Sequence, residues 1–92
     1  MKKIKTGETV YIIGRYGYKP TDFSHLIEGR VVGKRNNRYV AHEKLIDSEW
    51  TFNERDIGVC VFTDRRAAEA KFHERREFEK RRLLDGTKRT RN

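Results

Sequence analysis

The chain has 92 residues, of which 39% are charged and 35% are hydrophobic, which predicts one domain with a small core. Its 22 Lys and Arg against 14 Asp and Glu give a formal net charge of +8, which favours a polyanionic or acidic partner. The single cysteine excludes an internal disulfide. We expect a cytoplasmic protein with no membrane partner, because the sequence shows no apolar run of signal or membrane length.

The first predicted strand covers residues 8–14. Val10 and Ile12 alternate to one face, and Tyr11 and Ile13 to the other. Since both faces carry apolar residues, we expect the strand to be covered on both sides.

Residues 15–25 are predicted to form a loop, because Gly, Pro, Asp and Ser break the strand pattern there. Loops of this length often carry function. This loop interleaves cations with aromatic rings, and single-stranded nucleic acid is bound by charge at its phosphates and by rings at its bases. Alternatively, the rings close the open end of a small barrel. The residues concerned are Arg15, Tyr16, Tyr18, Lys19 and Phe23.

Two β-rich runs, residues 26–34 and 38–44, flank Arg35 and an Asn-Asn pair and predict a β-hairpin. Gly29 and Gly33 fall on one face of the first run, which predicts bending and favours a curled barrel over a flat sheet. The basic residues around the hairpin tip either contact phosphates or protect a solvated strand edge from aggregation. They are Arg30, Lys34, Arg35 and Arg38.

Residues 50–52 are predicted to form a short strand, and residues 57–62 a central or closing strand with apolar residues on both faces. Thr63 or Asp64 can then cap a helix over residues 64–85, which contains no Gly or Pro. Asp85-Gly86 is expected to end it, leaving residues 86–92 as a basic disordered tail.

The helix is predicted to dock through its first two turns, at Ala67, Ala68 and Phe72, and to project as a charged rod beyond Arg75. Its projecting half could pair with a second copy through Phe78 and Leu83. Its basic side chains can bind nucleic acid or an acidic protein, although exposed helices of mixed charge often have no binding function. The residues predicted to contact nucleic acid are Arg75, Arg76, Lys80, Arg82, Lys88, Arg89 and Arg91.

The sequence offers little for catalysis. Cys60 lies between Val59 and Val61, which is typical of a buried apolar side chain and not of a nucleophile. Asp22, Ser24 and His25 are neighbours in a loop, where triad geometry is rare. The three histidines and Cys60 show no short metal-ligand spacing. We therefore expect neither an enzyme, nor a metal site, nor a cofactor.

Three segments, residues 7–14, 28–32 and 38–41, together resemble the opening of SH3-like barrels of the KOW and Tudor kind. The resemblance covers roughly residues 7–44, and it implies a five-stranded barrel that binds RNA, ribosomes, RNA polymerase or peptides. The distance from Gly14 to Gly29 exceeds that of the KOW pattern, so no loop contact is carried over. The layout also resembles small bacteriophage accessory proteins, many of which act on host machinery.

The sequence therefore predicts a mainly β, α+β protein: an SH3-like barrel of about five strands over residues 1–63 and one long basic helix over residues 64–85. The predicted function is non-enzymatic binding of nucleic acid, RNA or DNA, through electrostatic and stacking contacts. The alternative is a phage-type protein-binding module or inhibitor whose helix docks on an acidic host protein.

Overall fold

The structure, a computed structural model, describes residues 4–15 and 23–90, with side chains up to Arg82. It is mainly β, with a five-stranded antiparallel sheet followed by one helix. The strands are β1 (Thr9–Gly14), β2 (His25–Arg35), β3 (Arg38–Glu43), β4 (Glu49–Phe52) and β5 (Val61–Phe62); a 3₁₀ turn (Glu54–Asp56) precedes β5, and helix α1 spans Arg65–Thr90.

Strand β2 organises the sheet, whose order is β4-β3-β2-β1-β5 with β4 and β5 as its edges. Residues 25–30 of β2 pair with β1, and residues 29–35 pair with β3. The register shifts between Val31 and Gly33, where a bulge bends the strand. The irregularity lies next to Gly33, one of the two glycines that predict bending of this strand.

The β2–β3 turn confirms the predicted hairpin. Asn36 and Asn37 have φ angles of 52° and 65°, and a two-residue turn of this kind needs a positive φ at both positions. Asparagine tolerates this region better than most residues. Arg35 lies in β2 and pairs with Arg38 across the turn.

The core occupies one face of the sheet, where Val10, Ile12, Ile27 and Val31 are buried among apolar residues of every strand. The opposite face of β1 is covered by α1, which contacts β1, β2 and β5. Ile13 points to that face and is only 4% exposed. The prediction that β1 is covered on both sides is thus confirmed.

The strand predicted over residues 57–62, as a central or closing strand, is shorter than predicted and covers only Val61–Phe62. Gly58 has a φ of +90°, and the chain turns there. The Gly58 N–H donates to the Val61 carbonyl (2.7 Å), and the Cys60 N–H donates to Asp56 (3.0 Å). Only Val61–Phe62 pairs with β1, as an edge strand.

Helix α1 begins as predicted, after Asp64, whose carboxylate accepts a hydrogen bond from the Arg66 N–H (3.3 Å). It differs from the prediction at its other end, because it continues through Gly86 to Thr90. Glycine costs a helix only about 1 kcal/mol relative to alanine, which is too little to end a long helix by itself.

The docked part of α1 is also longer than predicted. Ala68 is fully buried whereas Ala67 is exposed, and Glu79, one turn beyond Arg75, is only 6% exposed. The helix therefore stays against the sheet for about three turns.

We expect the effect of a substitution at Asn37 on stability to depend on how well the new residue tolerates a positive φ angle. Asn37→Gly should leave the free energy of unfolding within about 0.5 kcal/mol of the unmodified protein, whereas Asn37→Val should lower it by about 1–2 kcal/mol. Urea unfolding followed by circular dichroism measures both. Equal effects of glycine and valine would show that the turn conformation does not matter for stability.

Candidate functional site

The carboxylate of Glu79 joins helix α1 to both ends of the β1–β2 loop. Its Oε2 accepts hydrogen bonds from Arg15 Nη2 (2.8 Å), which follows β1, and from Ser24 Oγ (3.0 Å), which precedes β2. Its Oε1 accepts a hydrogen bond from the Ser24 backbone N–H (3.1 Å). Three donors from one end of the sheet therefore converge on a single buried carboxylate.

Arg76 strengthens the same junction. Its guanidinium lies over the ring of Phe23, 4.6 Å from the centroid, and 5.9 Å from the centroid of Phe72. Its Nη1 also donates to the Ser24 carbonyl (3.4 Å). We call this group, Arg15, Phe23, Ser24, Arg76 and Glu79, the loop clamp. Arg76, predicted to contact nucleic acid, thus has a structural role.

Burial by itself raises the pKa of Glu79. The hydrogen bonds from the Ser24 backbone, the Arg15 guanidinium and the Ser24 hydroxyl outweigh that effect, so the pKa lies below its ordinary value. Glu79 is therefore ionised at neutral pH, and its negative charge is directed inward, toward the loop clamp.

Beside the clamp lies a basic cleft of about 240 Å³, which we call the helix–loop cleft. Arg75 and Arg82 of α1 line it together with Arg15, so its lining holds three guanidiniums and one carboxylate, that of Glu79. Phe78 also lines the cleft and is 62% exposed. The structure thus brings together Arg15, Arg75 and Arg82, which the sequence predicts from two separate segments.

A second, larger groove of about 550 Å³ adjoins the cleft along α1, and Phe78 and Arg75 line both. Its charges are more balanced: Lys71 pairs with Glu74 at 3.6 Å, and Glu77 and Arg81 complete the lining. The positive excess is therefore concentrated on the side of Phe78 where Arg15 lies.

The hairpin carries another basic surface on the face of the sheet opposite the core. Arg30, Arg35, Arg38 and His42 share this face, which we call the hairpin surface, because Arg30 pairs with His42 and Arg35 with Arg38 across β2 and β3. Arg35 lies 3.5 Å from a Glu49 carboxylate oxygen. Among the described residues, no carboxylate lies within ion-pair distance of Arg30 or Arg38.

Lys34 does not belong to this surface. It pairs with Tyr39 and lies over the Tyr39 ring, 4.6 Å from the centroid, on the core side of the sheet. There it lines an open depression of about 480 Å³ beside the hairpin turn and the 3₁₀ turn; the other lining residues are Asn37, Asn53, Glu54 and Arg55. The predicted hairpin cluster is therefore divided between two faces.

The two basic regions lie at opposite ends of β2. Helix α1 starts near Glu28, which interacts electrostatically with Arg65, and reaches Ser24 at Glu79. It thus runs against the direction of β2 and leads away from the hairpin turn. Lys80 is exposed on this helix, and Lys88 and Arg89 belong to its last turns. Tyr16, Tyr18, Lys19 and Arg91 lie outside the described residues.

Glu79 was not predicted as a site residue, and Phe78 was predicted to pair with a second copy of the chain. A signal for Glu79 was present, because Ala68, Phe72, Arg76 and Glu79 follow the four-, four- and three-residue spacing of one helix face. Charged residues on the helix were expected to be exposed, whereas a carboxylate can be buried where hydrogen-bond donors meet it.

The side chains that could act in catalysis, Ser24 and Cys60, make contacts that hold the fold together. The Ser24 hydroxyl is bonded to Glu79 (3.0 Å). Cys60 packs against the core, and burial, helped by the nearby Asp56 carboxylate, raises the pKa of its thiol. In the part of the chain that the structure describes, His, Cys, Asp and Glu form no group of three that could hold a metal ion.

No helix within residues 4–15 and 23–90 is both long and apolar enough to cross a membrane. Comparison of the chain with protein families, with curated proteins and with solved structures finds no match. The candidate site therefore has to be interpreted from its own chemistry.

We expect Glu79→Gln to lower the free energy of unfolding by about 1–3 kcal/mol at pH 7, because an amide cannot accept from Arg15 and the Ser24 hydroxyl as a carboxylate does. The pKa of Glu79 is lowered by folding, so its stabilisation is present above the ordinary glutamate pKa of about 4.3 and is lost as pH falls through the lowered pKa. Urea unfolding from pH 7 to pH 2.5 should show the difference between the two proteins shrinking with acidification.

Glu77→Gln is the matched control, since it removes the same charge from an exposed position of the same helix. It should change stability by less than about 0.5 kcal/mol. A Glu79→Gln effect that is no larger, or that does not depend on pH, would contradict the role of the clamp.

Proposed function

We propose that this protein is a non-enzymatic nucleic-acid-binding protein with an SH3-like barrel and a basic C-terminal helix. The observation that carries the proposal is the helix–loop cleft, where Arg15, Arg75 and Arg82 surround an exposed aromatic ring and where the one carboxylate is held by the loop clamp. Guanidiniums bind phosphate by bidentate hydrogen bonds, and exposed rings stack on bases.

Three features support the barrel. The sheet has five strands, its last strand returns to lie beside the first, and the pairing of β2 with β3 is irregular between Val31 and Gly33, where a bulge bends a strand. These are the means by which a small sheet curls toward closure.

The surroundings of each cation decide its role in binding. Arg15 is held by Glu79, so it contributes a guanidinium of fixed position to the cleft. Arg75 and Arg82 are oriented by the helix, and among the described residues no carboxylate lies within ion-pair distance of either. The hairpin surface adds further phosphate contacts at the other end of β2, where Arg30 and Arg38 are exposed.

Replacing Arg75 and Arg82 together by Gln should weaken nucleic-acid binding and flatten its dependence on salt. Each lost phosphate contact lowers the slope of log affinity against log salt by about 0.7 for a single strand, so the double variant should lose about 1.4. Fluorescence anisotropy with labelled single-stranded and duplex DNA and RNA, each at several salt concentrations, measures both quantities.

The control double variant, Lys5→Gln with Arg66→Gln, removes the same charge from exposed positions outside the cleft and the hairpin surface. It should retain most of the affinity. Equal losses in the two double variants would mean that only net charge matters. Binding that disappears at physiological salt on all four nucleic acids would refute the proposed function.

Binding to a protein is the second candidate function, and the β3–β4 loop favours it. Leu45 is 91% exposed and Ile46 is 51% exposed, so two large aliphatic side chains lie next to each other on the surface. If this loop is a docking site, replacing both residues by Ser should abolish capture of a purified partner and leave nucleic-acid binding unchanged. Capture that survives this double substitution would exclude the loop as the interface.

A further inference from the structure

Phe78 is a large apolar side chain that the fold itself does not use. It is 62% exposed and lies between the helix–loop cleft and the larger groove along α1. An exposed phenyl ring loses hydrophobic stabilisation and gains nothing from water. A ligand that covered the ring would remove this cost, and the side chains around Phe78 indicate which kind of ligand fits there.

The surroundings of Phe78 are cationic on the side of the helix–loop cleft, whereas the larger groove on its other side carries more balanced charges. Lys71, Arg75, Phe78 and Arg82 follow spacings of four, three and four residues, which places them on one face of α1. Arg75 and Arg82 are two turns apart, about 10 Å along the axis, with Phe78 between them. A cation thus stands on each side of the ring.

The charges on this face of α1 favour some ligands over others. A second copy of the chain docked through the helix–loop cleft would bring two sets of guanidiniums against each other, which Coulomb repulsion disfavours. An acidic peptide matches the charge but offers a flat ring only where an aromatic residue lies among its carboxylates. A nucleotide strand offers both, since its bases are planar and a phosphate lies on each side of every nucleoside.

We propose that Phe78 stacks on an unpaired base of a single-stranded nucleic acid, while Arg75 and Arg82 bind the phosphates that flank it. This inference rests on the proposed function and deepens it by naming the form of nucleic acid. A duplex can use the same arginines, but its bases are stacked on each other and cannot reach Phe78. The protein should therefore prefer single strands, and the preference should depend on the ring.

The test compares Phe78→Leu with Phe78→Trp. Leucine keeps an exposed apolar side chain of similar size without a π face, and tryptophan keeps and enlarges the π face. Anisotropy is measured with labelled oligothymidylate, oligouridylate and a DNA duplex of the same length. Phe78→Leu should weaken binding to single strands by about 5- to 100-fold and leave duplex affinity within about twofold, and Phe78→Trp should bind single strands at least as tightly as Phe78 does.

Quenching of 2-aminopurine placed in the single strand supplies a direct readout of stacking, which the leucine variant should lose. Both variants should keep the unfolding midpoint of the unmodified protein, because the position is exposed. Loss of stacking on the thymidylate, on the uridylate or on both supports the inference, and the two arms show which of the two strands the site accepts.

Three results would overturn the inference. If Phe78→Leu changes single-strand and duplex affinity equally, or changes neither, stacking is absent although the proposed function stands. If sedimentation shows a dimer that Phe78→Leu converts to a monomer, a second copy covers the ring. If the unmodified protein binds no nucleic acid at all, the proposed function fails and this inference fails with it.

Discussion

The buried carboxylate of Glu79 is the interaction on which the arrangement of loop, helix and cleft depends. A charge removed from water costs several kcal/mol unless it is paired and hydrogen-bonded, so the carboxylate is stable only where its donors converge. Arg15 and Ser24 supply three such bonds. In return, the carboxylate fixes where α1 crosses the sheet and where the Arg15 guanidinium points. Without it, the helix beyond Phe72 would be tied down mainly by Arg76.

The fold could be predicted from the sequence where its determinants are local. The Asn36-Asn37 turn, the alternation along β1 and the start of α1 each depend on residues within one turn or a few positions of each other. The strand over residues 57–62 was predicted too long, because an apolar run looks the same whether it continues as a strand or turns at Gly58. The end of α1 was also predicted too early, because glycine weakens a helix without necessarily ending it.

The candidate site was predictable in composition but not in arrangement. Basic residues could be selected from the sequence, yet the partners that distinguish them lie far away in the chain: Arg15 and Glu79 are 64 positions apart, and Arg76 and Ser24 are 52 apart. Arg76 is held in the loop clamp, whereas Arg75, its neighbour, faces the cleft. Adjacent arginines with the same local pattern therefore have different roles, and only the tertiary contacts separate them.

The burial of Glu79 also changes what the surface offers to a partner. Because that negative charge is held by the clamp, the cleft is more basic than the mixed sequence of α1 suggests, and Phe78 stands exposed within it. An apolar partner would cover the ring but strip the guanidiniums of water, which is costly. A purely ionic partner would satisfy the guanidiniums and leave the ring in water. A ligand that carries anionic groups on both sides of a planar ring satisfies both requirements, and single-stranded nucleic acid has that form.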